Sequence, residues 1–348
     1  MTSATSPGSS SRQGGPGAGG RLSIVIVNWN VRSLLRDCLA SLEADCAADA
    51  GEVIVVDNDS RDGSAAMVRS EFPWVTLIES GGNIGYSRGN NLGLSRASGD
   101  WLLLLNPDTL VPAGSLRRLL GFADAHPDAG AFAPLQYDGA GRIQYEAAVR
   151  FPTVWNVLCD FTLLSAAFPR SRWFNGRKLG DWAHDEDREV PAVSGAAMLI
   201  RRSVWERLGG LDEAMFCVED MDYCRRIRNA GWRVWYVAAA PIVHYGRSSI
   251  VQQRQAWQRQ AMLQSFWVYR CKHFGRTSGR TLSAAIFAWS VAAWAGLAVP
   301  ALVLRGREGL GVRLRHVREM ATALLSWSLS DKSRFRHPFA AAPAGGGR

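Results

Sequence analysis

The chain has 348 residues, 47% hydrophobic and 20% charged, which excludes a wholly disordered polypeptide and leaves enough chain for a sizeable core. Six cysteines (Cys38, Cys46, Cys159, Cys217, Cys224, Cys271) lie far apart with no C-x-x-C pair, arguing against a disulfide scaffold or a thiolate zinc site and for a reducing compartment. The net charge of +9 is lopsided: from residue 270 onward thirteen Lys or Arg face three acids, which leaves −1 for residues 1–269.

Residues 1–20 are mostly Ser, Gly and Pro and read as a disordered leader, not a signal peptide, because no apolar core follows Met1. Residues 22–27 (LSIVIV) form a strand, and residues 33–43 form a helix with Leu34, Leu35, Cys38, Leu39 and Leu42 at helical spacing. The alternation recurs as strand 53–56, helix 63–70, strand 75–78, helix 87–97, strand 101–105 and helix 114–125. Apolar strands separated by amphipathic helices predict an α/β domain with a mostly parallel sheet covered on both faces and ligands at the strands' carboxyl ends. The functional loops should therefore follow Val27, Val56, Ile78 and Leu105. Beyond residue 130 the pattern is irregular, with Trp155, Trp173 and Trp182 in polar stretches, a small-residue strand over 192–200 (AVSGAAMLI) and a helix near 219–229. This half is expected to complete one catalytic domain over 21–250 with antiparallel strands and loops.

Residues 251–348 are expected to form a basic helical tail. Within it, 281–304 is uncharged over 24 residues, long enough at about 1.5 Å per residue to cross a hydrocarbon core of about 30 Å. Eight alanines, Pro300 and basic flanks on both sides (Arg270, Lys272, Arg276, Arg280; Arg305, Arg307, Arg313, Arg315) fit a single crossing poorly. A membrane-attached helix or hairpin at the inner face of the cell membrane is the expectation, beside a true span and a buried helix. An apolar block between basic clusters favours anionic lipid headgroups over nucleic acid.

The first strand ends in Asn28-Trp29-Asn30 without a G-x-G-x-x-G, which removes most of the case for a hydride-transfer enzyme. The second ends in Asp57-Asn58-Asp59-Ser60-Arg61-Asp62-Gly63-Ser64: Asp57 is placed to accept from a base imide or a ribose hydroxyl, whereas Asp62 and Ser64 also suit a helix cap. The third loop spends five glycines and three asparagines on a helix entry, Gly81 to Gly93. That density implies close backbone approach, for which a ligand phosphate or nucleoside with Arg88 as counter-charge would account. The fourth strand delivers Asn106-Pro107-Asp108, where one carboxylate at a buried strand's mouth suits Mg²⁺ or Mn²⁺ on a diphosphate, or else a turn. His244 emerges from a late apolar strand as a structural residue or a metal ligand. Finally, Glu219 and Asp220 open a helix whose arginines Arg225, Arg226 and Arg228 lie toward its end. Dipole complementarity explains that pattern, yet adjacent acids cannot both face one way, so one can serve as a base.

Taken in order, VIVNWN, VVDNDSRDGS, GGNIGYSRGNNLGL, LLLLNPDT, SGAAMLIRR and GGLDEAMFCVEDMDYCRRIRNAGW resemble family 2 glycosyltransferases, especially the rhamnosyltransferase-like branch, over about residues 21–247. The resemblance implies a glycosyltransferase A fold, a nucleotide-diphosphate sugar donor, a divalent metal and inversion at the anomeric carbon. By it, Asp57 matches the nucleoside-binding acid, Asp108 the last acid of D-x-D, Asp220 the catalytic base and His244 a late histidine of the metal site. Asn106 replaces the first D-x-D acid and is left to contact sugar or ribose. The donor side then comprises Asn28, Asn30, Asp57, Asn83, Gly85, Arg88, Asn90 and Asn106, with Glu219 and Asp222 as alternative bases. Rhamnose from a thymidine diphosphate donor, passed to a hydroxyl of a cell-surface glycan or lipid-linked acceptor, is the expected reaction. A catalytically inactive nucleotide-binding membrane scaffold and a nucleotidyltransferase are the rival readings. The first should lose Asp108 or Asp220, and the second should carry a Gly-rich basic loop after strand one; neither holds.

Overall fold

The computed structural model describes residues 22–49, 51–162, 164–246 and 255–303. The first half follows the expected alternation: β1 (Leu22–Asn28), α1 (Arg32–Asp49), β2 (Glu52–Asp57), α2 (Ser64–Glu71), β3 (Thr76–Glu79), α3 (Tyr86–Leu94), β4 (Trp101–Leu105), the short β5 (Thr109–Leu110) and α4 (Ser115–Asp124). There follow β6 (Ala129–Tyr137), β7 (Ala148–Val149), α5 (Val154–Phe161), α6 (Leu164–Ala167), β8 (Arg188–Glu189), β9 (Ala192–Val193), β10 (Ala197–Arg201), α7 (Arg202–Leu208), α8 (Glu219–Asn229), β11 (Arg233–His244) and α9 (Gln255–Val303).

One nine-stranded sheet runs β3-β2-β1-β4-β10-β6-β11-β5, with β8 beside β11. The β3-β2-β1-β4 half is parallel, as unbroken apolar runs buried on both faces require. Alternate residues feed opposite cores. Ile24, Ile26, Val53, Val55 and Leu103 meet Leu35, Leu39, Met67 and Leu119 on one side. Val25, Leu102 and Leu104 join Val204, Tyr223, Cys224 and Ile227 on the other. In register, Asn28 stands opposite Asp57 and Ile26 opposite Leu105, so the polar ends of β1, β2 and β4 share one edge.

The second half is more regular than its sequence suggests. β10 runs antiparallel to β4 and β6, while β6 and β11 pair in parallel. The single strand expected over 192–200 is two strands in different sheets, because β9 pairs β7 and β10 pairs β4. Ser194-Gly195-Ala196 breaks the run: Ser194 N–H donates to Ala147 O, and Ala196 O accepts from Asn106 N–H at 2.8 Å.

α9 bends sharply at Gly275, whose φ of 80° and ψ of 164° no other residue adopts readily. Before the bend Leu263, Phe266 and Tyr269 enter the core, and after it Leu282 and Ile286 do. Gly279 lies so close to Cys271 and Trp267 that a Cβ would overlap the cysteine sulfur. Of the expected apolar segment, residues 281–303 are helical, and among the described residues no helix is long and apolar enough to cross a membrane. The leader 1–20 and the arginines at 305, 307, 313 and 315 lie outside the described residues.

Candidate active site

At the shared edge, Asn28 donates from Nδ2 to Asp57 Oδ1 at 2.9 Å and to Ser60 Oγ at 3.0 Å. The Ser60 N–H donates to Asp57 Oδ2, and Ser60 Oγ accepts the N–H of Asn30, a residue held at φ 53°. Asp57 is thus buried with each oxygen aligned by one donor and a lone pair left on each, which suits an acceptor of hydrogen bonds from a base or a ribose. Asn28 Oδ1 and Asn58 Oδ1 are buried there without a partner. Asp62 caps instead: it accepts from Arg32 N–H and from Ser64 N–H and Oγ, tying the starts of α1 and α2 together.

The glycines of the third loop divide by role. Gly85 needs its φ of 84° and ψ of 173°, and Asn83 Oδ1 accepts its N–H. Gly89 and Gly93 face the sheet, because a Cβ at Gly89 would lie 2.8 Å from Val27 Cγ1 and one at Gly93 would overlap Val25. For these two, the partner in the close approach is β1, a correction to the expectation of a ligand. Asn90 donates to Tyr86 O at 3.0 Å, and its buried Oδ1 has no partner. Arg88 pairs with Glu213 at 2.8 Å.

Beyond β4, Asn106 Nδ2 lies 3.2 Å from His244 Nε2, and Asp108 Oδ1 lies 3.4 Å from the same nitrogen. Gln144 sets the imidazole. Its Nε2 donates to the His244 carbonyl at 2.6 Å, which leaves its Oε1 facing His244 Nδ1 at 2.9 Å. An oxygen there can only accept, so in the neutral ring Nδ1 carries the proton and Nε2 turns its lone pair toward Asp108. A carboxylate oxygen and an imidazole nitrogen whose lone pair is met only by the Asn106 amide, both acceptors, thus converge. This pair fits a divalent cation whose other positions are filled by phosphate and water oxygens, and the mixed ligands suit Mn²⁺ as well as Mg²⁺. Among the described residues no group of three or more His, Cys, Asp or Glu gathers in this way.

At the start of α8, Val218 takes φ 68° and turns the chain so that Glu219 and Asp220 diverge. Asp220 Oδ2 accepts the Gly195 N–H at 3.0 Å and Oδ1 the Met221 N–H at 2.7 Å, while Glu219 Oε2 is buried without a partner. Burial pushes the Asp220 carboxyl up, outweighing the two N–H donors and Arg177, and Glu219 is pushed well up by burial and by Asp220. Tyr86 OH donates to Gly195 O at 2.6 Å, and burial together with Glu219, Asp220 and Asp108 holds the phenol well above its ordinary range. Through Gly195, Tyr86 is thus joined to the turn that holds Asp220. Asp222 drops out as a base, because it is fully buried between Arg226 (2.9 Å), Lys272 (2.9 Å) and His273 (2.7 Å).

Tyr86, Gly195, Gln144 and Ser60 were not singled out as site residues in the sequence. Tyr86 and Gly195 lie inside motifs that were; Gln144 sits in the irregular half with nothing local to mark it.

Residues 19–262 match the profile described as Glycosyltransferase like family 2. The chain belongs to glycosyltransferase family 2. It is 30% identical over 236 residues (64% of this chain, 76% of the relative) to the N-acetylglucosaminyl-diphospho-decaprenol L-rhamnosyltransferase of Mycobacterium tuberculosis. To the rhamnosyltransferase WbbL of Escherichia coli K12 it is 26% identical over 231 residues (64% and 82%), so the family's rhamnosyltransferase-like branch fits. Among solved structures, the mannosyltransferase PcManGT of Pyrobaculum calidifontis, in complex with GDP-Man and Mn2+, matches with a TM-score of 0.57 at 20% identity, covering 89% of this chain and 86% of that one. The sheet is accordingly that of the glycosyltransferase A fold, and this family 2 chain is a glycosyltransferase.

Proposed function

We propose that this family 2 member is an inverting, metal-dependent hexosyltransferase, with rhamnose as the leading sugar, that moves the sugar from a nucleotide diphosphate to a hydroxyl of a lipid-linked or cell-surface glycan at the cytoplasmic face of a membrane. The reading rests above all on one observation: Asp108 lies beside the Nε2 of His244 at the end of β4, and Asp220 is held by the N–H of Gly195, whose carbonyl takes the Tyr86 hydroxyl. The name of the M. tuberculosis relative supports the sugar and a lipid diphosphate acceptor.

In this reading Asp57 accepts from the nucleoside, and Asn28, Asn30, Asn83, Gly85, Arg88, Asn90 and Asn106 shape the donor side. Asp108 and His244 would hold Mg²⁺ or Mn²⁺, whose charge would offset that developing on the leaving diphosphate. Asp220 takes the acceptor hydroxyl's proton as that oxygen attacks from the face opposite the leaving group, and no covalent enzyme intermediate forms. A carboxyl raised by burial is better matched to this task than an ordinary one.

Asp220→Asn should lower kcat by about a hundredfold or more with donor affinity nearly unchanged. Asp108→Ala should abolish metal-dependent donor binding, read as the loss of the thermal shift that nucleotide sugar and Mn²⁺ give together. Near-normal transfer by Asp220→Asn would place the base elsewhere, at Glu219. Donor binding without any transfer by the unaltered protein would favour the inactive scaffold.

A further inference from the structure

Residues 154–178 form an excursion between β7 and β8 that carries the three most exposed large aromatics of the described chain: Trp173 at 69%, Trp155 at 50% and Phe168 at 50%. They form one patch. Phe174 lies 5.0 Å from the Phe168 ring and 6.1 Å from the Trp155 ring, and Trp155 Nε1 donates to Trp173 O at 2.9 Å. Ordinary burial would have turned such rings inward, so their joint exposure calls for a partner that is absent from the fold.

Residues 164–180 carry Arg170, Arg172, Arg177 and Lys178 and no acid, and the acids Asp181, Asp185, Glu186 and Asp187 follow only after the aromatic patch. The nearby acids Asp160 and Glu146 are taken by Arg177 and Lys178. Arg170 and Arg172 are exposed with no acidic partner among the described residues, and the Arg172 guanidinium lies 5.6 Å over the Trp173 ring. Indole and phenyl rings interleaved with unpaired arginines match the headgroup layer of an anionic bilayer, where rings seat at the acyl boundary and guanidiniums meet phosphate.

The excursion is tied to the Asp220 turn: the Arg177 carbonyl accepts the Arg150 N–H at 2.7 Å, and Ala147, three residues earlier, accepts the N–H of Ser194, next to the Gly195 that holds Asp220. We propose that the Trp155, Phe168, Trp173, Arg170 and Arg172 surface docks the enzyme on anionic lipid and sets the mouth of the Asp220 cleft at headgroup height. A hydroxyl on a lipid diphosphate sugar would be presented at that level. The orientation rests on the lipid-linked acceptor proposed above; the docking itself does not.

The test uses the full chain and vesicles of phosphatidylglycerol with phosphatidylcholine, against phosphatidylcholine alone, read by co-sedimentation. Two double variants change exposed side chains only: Phe168→Ser with Trp173→Ser, and Arg170→Glu with Arg172→Glu. The unaltered protein should bind the anionic vesicles, and each double should lose about tenfold or more of that affinity while keeping its melting temperature and its thermal shift with nucleotide sugar and Mn²⁺. Retention of those shifts separates failure of docking from failure of the transferase reading. Any other pattern overturns the proposal: no binding by the unaltered protein, loss in one double alone, or retention in both, which would move the contact to residues beyond 303. A dimer that the serine pair dissolves, with vesicle binding intact, would assign the patch to a second copy and overturn it too.

Discussion

Gln144 governs the candidate metal site through hydrogen bonding alone. Because its amide nitrogen is committed to the His244 carbonyl, its oxygen fixes the proton on Nδ1 and leaves Nε2 an acceptor, facing Asp108 and the Asn106 amide. Partners that orient a ligating histidine typically contribute about ten- to a hundredfold in metal affinity. Gln144→Leu should therefore weaken Mn²⁺ binding in the presence of a nucleoside diphosphate by about tenfold or more, measured by the electron paramagnetic resonance of free Mn²⁺, with the fold unchanged. Unaltered binding would mean that Asp108 holds the ion without His244. Asp108 was legible in the sequence because a lone acid ends an apolar strand, and Asp220 because paired acids open a helix. Gln144 was not, since its role exists only where residues 144 and 244 meet across the fold.

Elements explain what single motifs leave open. α3 enters with glycines that suggest a bound phosphate, yet Gly89 and Gly93 let the helix lie directly on Val27 and Val25 of β1. The two accounts predict opposite results for Gly93→Ala. Alanine favours a helix interior by about 1 kcal/mol, whereas overpacking a core costs typically about 1–3 kcal/mol. A net loss of stability in urea unfolding, with donor affinity intact in the folded fraction, is the expected outcome; a stabilised protein with weakened donor binding would restore the ligand account. α9 shows the same limit of local reading. Its apolar and basic composition suggested a membrane element, but the described part serves the site from behind. Ser265 Oγ accepts the N–H groups of Phe216 and Cys217 just before α8, and Lys272 and His273 pair with Asp222 inside it. Composition could not reveal this, because the acid that selects Lys272 and His273 lies about fifty residues away in sequence.

The architecture as a whole was legible where strands are continuous and parallel, since apolar runs of fixed spacing leave few alternatives. It was obscure after residue 130, where β6, β10 and β11 enter the same sheet out of sequence order and short strands break at functional turns. That half also holds the fold's clearest titrating liability. His184, at φ 60°, is fully buried, stacked on Trp182 at 4.0 Å and edge-on to Tyr145 and Tyr236, with Nε2 donating to Lys178 O at 3.2 Å and Nδ1 without a partner. Burial, reinforced by Arg188 and opposed by the Lys178 and Leu179 backbone and Glu146, pushes its pKa down to about 4. The unfolded chain, with a histidine pKa of about 6.5, binds the proton first as pH falls. The stabilisation is therefore complete above about pH 6.5 and is lost progressively toward pH 4, up to about 3 kcal/mol in all. Glu219 and Asp220 act in the opposite sense: their raised pKa values make the folded state bind protons first and so favour it as pH falls. Substituting the histidine isolates its share. Asparagine tolerates the left-handed backbone of position 184, so His184→Asn should flatten the fall of melting temperature between pH 6.5 and pH 4 relative to the unaltered protein. Parallel melting curves across that window would show that His184 takes up its proton in the folded state as readily as in the unfolded one.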